Sequence, residues 1–263
     1  MLRVLEAIQD GLNYSECTGV NFHGNDGKGK IGTTGYLLGM VGGFHLALVV
    51  MSIAQGGPAT PLLAWSLYVA LLCWFHFFEF FTTAVCQPRS LGYDSFVVNH
   101  SLAYTAAALG SWVEFWVEWW IWGSSGKLNL PMMLCGIGLV VGGQAIRSLS
   151  MWTCGEHFDH QIMEQRREGH KLVTTGIYSV LRHPSYFGWF YWSVGTQVLL
   201  CNPICTVLYL GASWRFFNTR IPFEEETLHR FYRQAYAEYC STTIIGIPFI
   251  SSRASRSERE RER

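Results

Sequence analysis

Arg182-His183-Pro184-Ser185-Tyr186 sets a guanidinium, an imidazole, a hydroxyl and a phenol within five residues, and Phe187-Gly188-Trp189-Phe190 carries the chain on into an apolar run. Proline fixes its own φ and disfavours helix for the residue before it, so His183-Pro184 predicts a helix beginning near Ser185. Arg182, His183 and Tyr186 then stand at a membrane–water boundary, beside helix-start N–H groups that no intrahelical carbonyl satisfies. Two readings are open for the nine residues alone. They form a polar binding site, or they are an interfacial anchor, since Arg, Tyr and Trp collect at membrane surfaces for solubility reasons. The segments on either side favour the site.

Upstream, 154–181 is a polar loop too long for a mere connector. His157 and His160 within it, with His170, offer three possible metal ligands, but no fourth stands at matched spacing, and a metal is not expected. Lys171 to Tyr178 reads as short extended chain followed by a turn at Gly176. Downstream, two apolar stretches of 185–219 flank Cys201-Asn202-Pro203. Each is short for a full crossing, so a helical hairpin is expected. After Pro222, Glu224-Glu225-Glu226 reads as the acidic first turn of a helix running to about Tyr239, because negative charge is favoured at that end of the dipole. Leu228, Phe231, Tyr232, Ala235 and Tyr239 recur at helical spacing and would pack that helix down.

The remaining elements are membrane spans. Only 14% of the 263 residues are charged and 49% are hydrophobic, against about 25% charged in ordinary soluble domains. Spans are expected at 35–54, 62–85, 95–122 and 130–152. Residues 1–34 form a polar lead-in, irregular near 21–32, with a possible interfacial helix at its start. Residues 35–153 make the N-terminal transmembrane helices and 154–250 the functional half; 251–263, rich in alternating Arg and Glu, is a disordered tail. His76 and Glu79 read as hydrogen-bonded structural residues. Glu114 and Glu118 share a helix face beside a tryptophan cluster, and an interfacial aromatic belt is favoured over an acid pair for chemistry. Arg147 either snorkels from a helix end or faces the bundle.

Of the 19 Lys and Arg, four lie in 154–184 and nine in 215–263, with no basic, aromatic-interleaved patch for nucleic acid. A hairpin returns the chain to the side it left, so loop and tail share one side. Lys127 is then the only basic loop residue opposite, and the positive-inside rule makes the crowded side, with both termini, cytosolic. The eight cysteines show neither zinc spacing nor a disulfide framework.

Several stretches resemble protein-S-isoprenylcysteine O-methyltransferases: Asp94 to Ser101, His170 to Tyr178, Arg182 to Trp192, Cys201-Asn202-Pro203, Trp214 to Phe217 and Glu224 to Glu226. The resemblance runs from about residue 64 to Ile250. It departs at the N-terminus, where animal members carry additional apolar helices. It implies an all-α, polytopic membrane helix bundle whose cytosolic-facing cofactor pocket is formed by a loop and the C-terminal helix. The implied activity is methylation of the C-terminal carboxylate of prenylated cysteine in CAAX-type proteins, in the endoplasmic reticulum membrane. S-adenosyl-L-methionine would be the cofactor. By position, His170, Lys171, Leu172 and Val173 would line it, with Tyr178, His183, Pro184, Ser185 and Tyr186 completing the pocket, Glu224 closing it, and Met163 as a further candidate. Arg220 would hold the substrate, making Arg220 and Glu224 the implied catalytic pair.

That chemistry asks little of the protein. A C-terminal carboxylate has a reference pKa of about 3.3–3.7 and is already the nucleophile at neutral pH. Positioning and partial desolvation are the remaining work. The arginine-proline motif also resembles membrane sterol reductases, so an NADPH-dependent reductase is the alternative. A membrane scaffold would leave the polar groups of 170–186 without a common purpose. Prenyl-length preference and oligomeric state are not written in the sequence.

Overall fold

Seven α-helices build the described part of the chain, and glycines decide how the most important two of them meet. The computed structural model describes residues 27–55, 60–98, 101–158, 161–163, 165, 169 and 171–250. His160, His170, Asn99, His100, residues 1–26 of the N-terminal lead-in and the charged tail lie outside them. The helices are α1 (Lys28–Ala54), α2 (Pro61–Cys86), α3 (Leu102–Lys127), α4 (Leu130–Cys154), α5 (Pro184–Leu199), α6 (Pro203–Tyr232) and α7 (Gln234–Thr242). Of these, α1, α2 and α4 are long and apolar enough to cross a membrane. The chain divides into two compact units, 1–130 and 131–263, so that α4 groups with the segments that follow it.

In the first unit α1 begins at Lys28, seven residues before the expected span, and residues 28–32 are helical where irregular chain was expected. Lys30 accounts for the difference: its ammonium lies 3.6 Å from the centre of the Tyr93 ring, giving the polar first turns a partner. A Cβ on Gly42 would meet the Cys73 side chain at 3.0 Å, the close α1–α2 approach expected of a glycine-rich span. Thr60 caps α2 by accepting from the Leu63 N–H at 3.2 Å. His76 donates from Nδ1 to the Phe96 carbonyl at 2.9 Å and faces the Tyr104 hydroxyl with Nε2 at 3.4 Å, a structural role. Lys127 is not the loop residue expected. Gly123 breaks the helical path at φ 66° and Lys127, buried, returns to Glu118 at 2.5 Å. A buried cation needs such a carboxylate.

In the second unit α4 and α5 cross through paired glycines. A Cβ on Gly188 would stand 2.5 Å from the Gly143 carbonyl oxygen, and one on Gly143 would stand 2.6 Å from that of Gly188. Gly195 meets Leu139 one step further along the same seam. Backbone contact this close brings the end of α4 against the start of α5, where the polar motif lies. Gly188→Ala should therefore lower the thermal unfolding midpoint in detergent, with a loss of about 1–3 kcal/mol from overpacking. An unchanged midpoint would show that the helices part without cost.

The hairpin forms as expected. With 16 residues, α5 is about 24 Å long at 1.5 Å per residue, short of the ~30 Å hydrocarbon core. Cys201 turns the chain at φ 52°, and buried Asn202 donates to Gln197 Oε1 at 3.2 Å. The Ser193 and Ser213 hydroxyls then meet at 3.2 Å between α5 and α6. The expected helix start at Pro222 is overturned, because α6 runs unbroken from Pro203 to Tyr232 with Pro222 inside it. Proline forfeits one backbone donor, but Phe217 and Ile221 on the preceding turn are buried in the core with Phe190 and Ile245 and hold the path. Glu224 to Glu226 are therefore mid-helix residues, and the dipole argument for them does not apply. The break comes instead at Arg233, with φ 47° and ψ −117°.

Candidate functional site

Two short pieces of backbone pairing bring the motif and the C-terminal segment together. Leu181 and Ile244 form an isolated parallel bridge, in which Arg182 N–H donates to the Ile244 carbonyl at 2.9 Å and Ile244 N–H to that of Val180 at 3.0 Å. The Tyr239 hydroxyl donates to the Tyr178 carbonyl at 2.7 Å. Arg182 is tied further by Nη1 donating to the carbonyls of Cys240 and Thr243. The loop end, the foot of α5, the end of α6 and α7 thus form one frame.

Within that frame the two neighbouring acids part company. Glu225 is 1% exposed, and its Oε1 accepts from Arg182 Nε at 2.8 Å and lies 3.2 Å from His183 Nε2. Burial disfavours the Arg182 charge, but the hydrogen bond and charge of Glu225 outweigh it and hold the guanidinium above its ordinary pKa. Glu224 turns the other way, towards the cavity. Its Oε2 is 3.8 Å from His183 Nδ1 and takes no hydrogen bond among the described residues. The His183 ring stacks on Tyr186 with centroids 5.5 Å apart and planes 5° from parallel. The Tyr186 hydroxyl accepts from Arg220 Nε at 2.8 Å, and Glu224 is its other polar neighbour. The Arg220 guanidinium lies 5.4 Å from the Tyr186 ring centre and 5.7 Å from that of Phe216. Aromatic faces thus fix the plane of its donor fork.

The cavity beside these residues has a volume of about 150 Å³. Of the residues expected from sequence, Lys171, Leu172, Val173, Tyr178, His183, Pro184, Ser185, Tyr186 and Glu224 all line it. Arg220 joins them through Tyr186 but is not part of the lining, and Met163 is not part of it either. His170 lies outside the described residues.

Sequence reasoning missed the contributions from remote elements. Arg147 does not snorkel away. It is buried, lines the cavity and donates from Nη1 to Ser185 Oγ at 3.0 Å. Its place in the middle of an apolar run, seven residues before Cys154 ends the helix, was the available signal. Tyr232, Tyr236 and Tyr239 also line the cavity. Two of them carried a helical-spacing signal that was assigned to packing alone. Burial, then the neighbouring Cys154 thiol and Glu224, pushes the Tyr178 phenol far up, so it stays a hydrogen-bond donor at any physiological pH. No group of three or more metal-binding side chains occurs among the described residues.

A cavity walled by cations, phenols and one undersatisfied carboxylate suits a small zwitterionic ligand better than a lipid. The buried Glu224 Oε2, which takes no hydrogen bond among the described residues, fits a ligand that brings a cationic donor.

The chain is similar to known proteins over most of its length. The Isoprenylcysteine carboxyl methyltransferase (ICMT) family profile matches residues 136–230. The chain is 46% identical over 202 residues to the protein-S-isoprenylcysteine O-methyltransferase of Xenopus laevis, covering 77% of this chain and 68% of that one. It is 46% identical over 183 residues to the Homo sapiens enzyme, covering 70% and 64%. The chain thus matches about two thirds of the length of these relatives. A solved structure of the eukaryotic intramembrane Ras methyltransferase ICMT superposes with a TM-score of 0.80 at 34% identity, over 95% of this chain and 87% of that one. With the all-helical architecture and the motif-lined cavity, these likenesses identify the protein as a multi-pass membrane protein that belongs to the isoprenylcysteine carboxyl methyltransferase family.

Proposed function

We propose that this chain methylates the C-terminal carboxylate of a prenylated cysteine, with S-adenosylmethionine held in the cavity between the loop end and the C-terminal segment. The undersatisfied Glu224 carboxylate beside His183 and Tyr186 carries the reading, because a buried charged oxygen without a donor points to a ligand that supplies one. When bound, the cofactor supplies an activated methyl group on a sulfonium, so no general base is needed.

The residues of the chain bind, orient and exclude water. Arg147 and Lys171 offer cationic donors to the anionic end of the ligand, and Tyr178 offers a phenol. His183 and Pro184 open α5 at the cavity, and the first backbone N–H groups of that helix have no intrahelical acceptor. Arg220, whose plane is set by Tyr186 and Phe216, holds the substrate carboxylate in line. Over-tight pairing would dull that nucleophile, so orientation is its task. Exposed Phe216 and half-buried Trp189 continue the apolar surface from Arg220, which suits a prenyl chain arriving from the bilayer. The substrates are prenylated CAAX-type C-termini, and the site faces the cytosol from the endoplasmic reticulum membrane, as the concentration of basic residues in 154–184 and 215–263 supports.

The purified protein in detergent should bind S-adenosylmethionine, ignore NADPH and transfer a labelled methyl group to a farnesylated cysteine peptide. Binding of NADPH in place of S-adenosylmethionine would overturn the assignment.

A further inference from the structure

We infer that Tyr236 is a ligand-contacting residue, and that its hydroxyl with Glu224 Oε2 receives the primary ammonium of the cofactor's amino-acid end. The inference rests on the reading of the cavity as an S-adenosylmethionine site. Tyr236 comes from α7, outside every motif that pointed to the site, yet it lines the cavity and is 1% exposed. Its ring is held edge-on to His229 at 4.8 Å between centroids, which fixes where the hydroxyl points. That hydroxyl has no hydrogen-bond partner among the described residues. The Cys240 thiol beside it is too weak an acceptor to satisfy it.

Two buried oxygens of cavity-lining residues therefore lack a hydrogen-bond partner among the described residues, one a phenol and the other a carboxylate oxygen. Buried polar groups in folded proteins are almost always paired, so a pair left open on one cavity marks where a ligand's donors go. The phenol also feels both neighbouring carboxylates, and since Arg182 is paired with Glu225, Glu224 is the one left facing this hydroxyl. A neutral donor would answer one oxygen and leave the carboxylate's charge unmatched. A primary ammonium brings three donors and the opposite charge. Of the three lining cations Arg182 is held by Glu225, and Arg147 and Lys171 face the carboxylate of the same amino-acid group.

The test compares two ligands that share the nucleoside and differ at the amino-acid end. S-adenosylhomocysteine carries the ammonium and carboxylate; 5′-deoxy-5′-methylthioadenosine carries neither. Tyr236→Phe should weaken S-adenosylhomocysteine about tenfold, as expected for a lost hydrogen bond to a charged group. It should leave methylthioadenosine affinity unchanged and the ligand-free melting temperature no lower than wild type, since no protein partner is lost. Glu224→Gln should show the same selectivity. Equal weakening of both ligands would assign the hydroxyl to the nucleoside end. A fall in ligand-free stability would make it structural, and no change with either ligand would remove it from the site. Each of these outcomes overturns the inference. Failure of the wild-type protein to bind either ligand would instead overturn the cofactor reading, and this inference with it.

Discussion

Replacing Arg220 with alanine should lower the single-turnover rate of methyl transfer by about 10²- to 10³-fold, the usual cost of losing an oriented, partly desolvated charge contact. Cofactor affinity should be preserved, because Arg220 lies outside the cavity lining and joins it through the Tyr186 hydroxyl. The guanidinium is not loosely tethered. One nitrogen is committed to Tyr186, and its face rests between the Tyr186 and Phe216 rings. Arg220→Lys should recover little, since an ammonium is a point charge that cannot reproduce the planar fork. Equilibrium binding of S-adenosylhomocysteine and a rapid-quench measurement of methyl transfer separate the two effects. A variant that loses cofactor binding in step with rate would place Arg220 in the cofactor site and leave the substrate carboxylate without its holder.

The surface shared by the 182–186 motif was legible in the sequence because it works through local chain, whereas Arg220 entered only through the family resemblance and meets the motif across 34 residues. Proline orders the start of α5, and the residues on either side of it need only a single helix turn to share a surface. The hairpin was legible for the same reason, since Cys201-Asn202-Pro203 interrupts two apolar runs. Errors arose where tertiary contacts override local preference. Pro222 signals a helix start on propensity, but the buried turn holding Phe217 and Ile221 carries α6 straight through it. Lys30 looked like lead-in polarity until its ammonium found the Tyr93 face. Lys127 looked like a loop cation until Gly123 folded it back onto Glu118.

Arg147 and Tyr236 share a deeper cause. Each enters the cavity from an element distant in sequence from the motif, so no spacing rule connects them to it. Arg147 arrives because glycines 143 and 188 let two backbones touch, a fact written in the sequence as unremarkable glycines. Tyr236 arrives because a positive φ at Arg233 breaks the path between α6 and α7, where no glycine announces the turn. Local chemistry was readable and convergence was not.

The adjacent glutamates give the second large expectation, one of opposite effects from neighbouring positions. Successive helical residues point about 100° apart, and here that rotation sends Glu225 into the frame and Glu224 towards the ligand space. Glu225→Ala would leave the Arg182 guanidinium, whose side chain is 11% exposed, without its carboxylate. Removing one partner of a buried ion pair typically costs about 3–5 kcal/mol, so the melting temperature in detergent should fall steeply. Glu225→Gln keeps the volume and an acceptor for Arg182 Nε and should fall between that variant and wild type, which preserves a reading if the alanine variant does not fold. Glu224→Gln should melt with the wild type, because Oε2 takes no hydrogen bond among the described residues and the remaining amide oxygen can still accept from the Tyr186 hydroxyl. Its deficit should appear only as weaker cofactor binding. Melting curves and cofactor titrations on the three variants therefore form a crossed pattern, stability lost at 225 and affinity lost at 224. Similar melting losses at both positions would mean that Glu224 also belongs to the frame, and the open carboxylate on which the cofactor site rests would have to be explained by the fold alone.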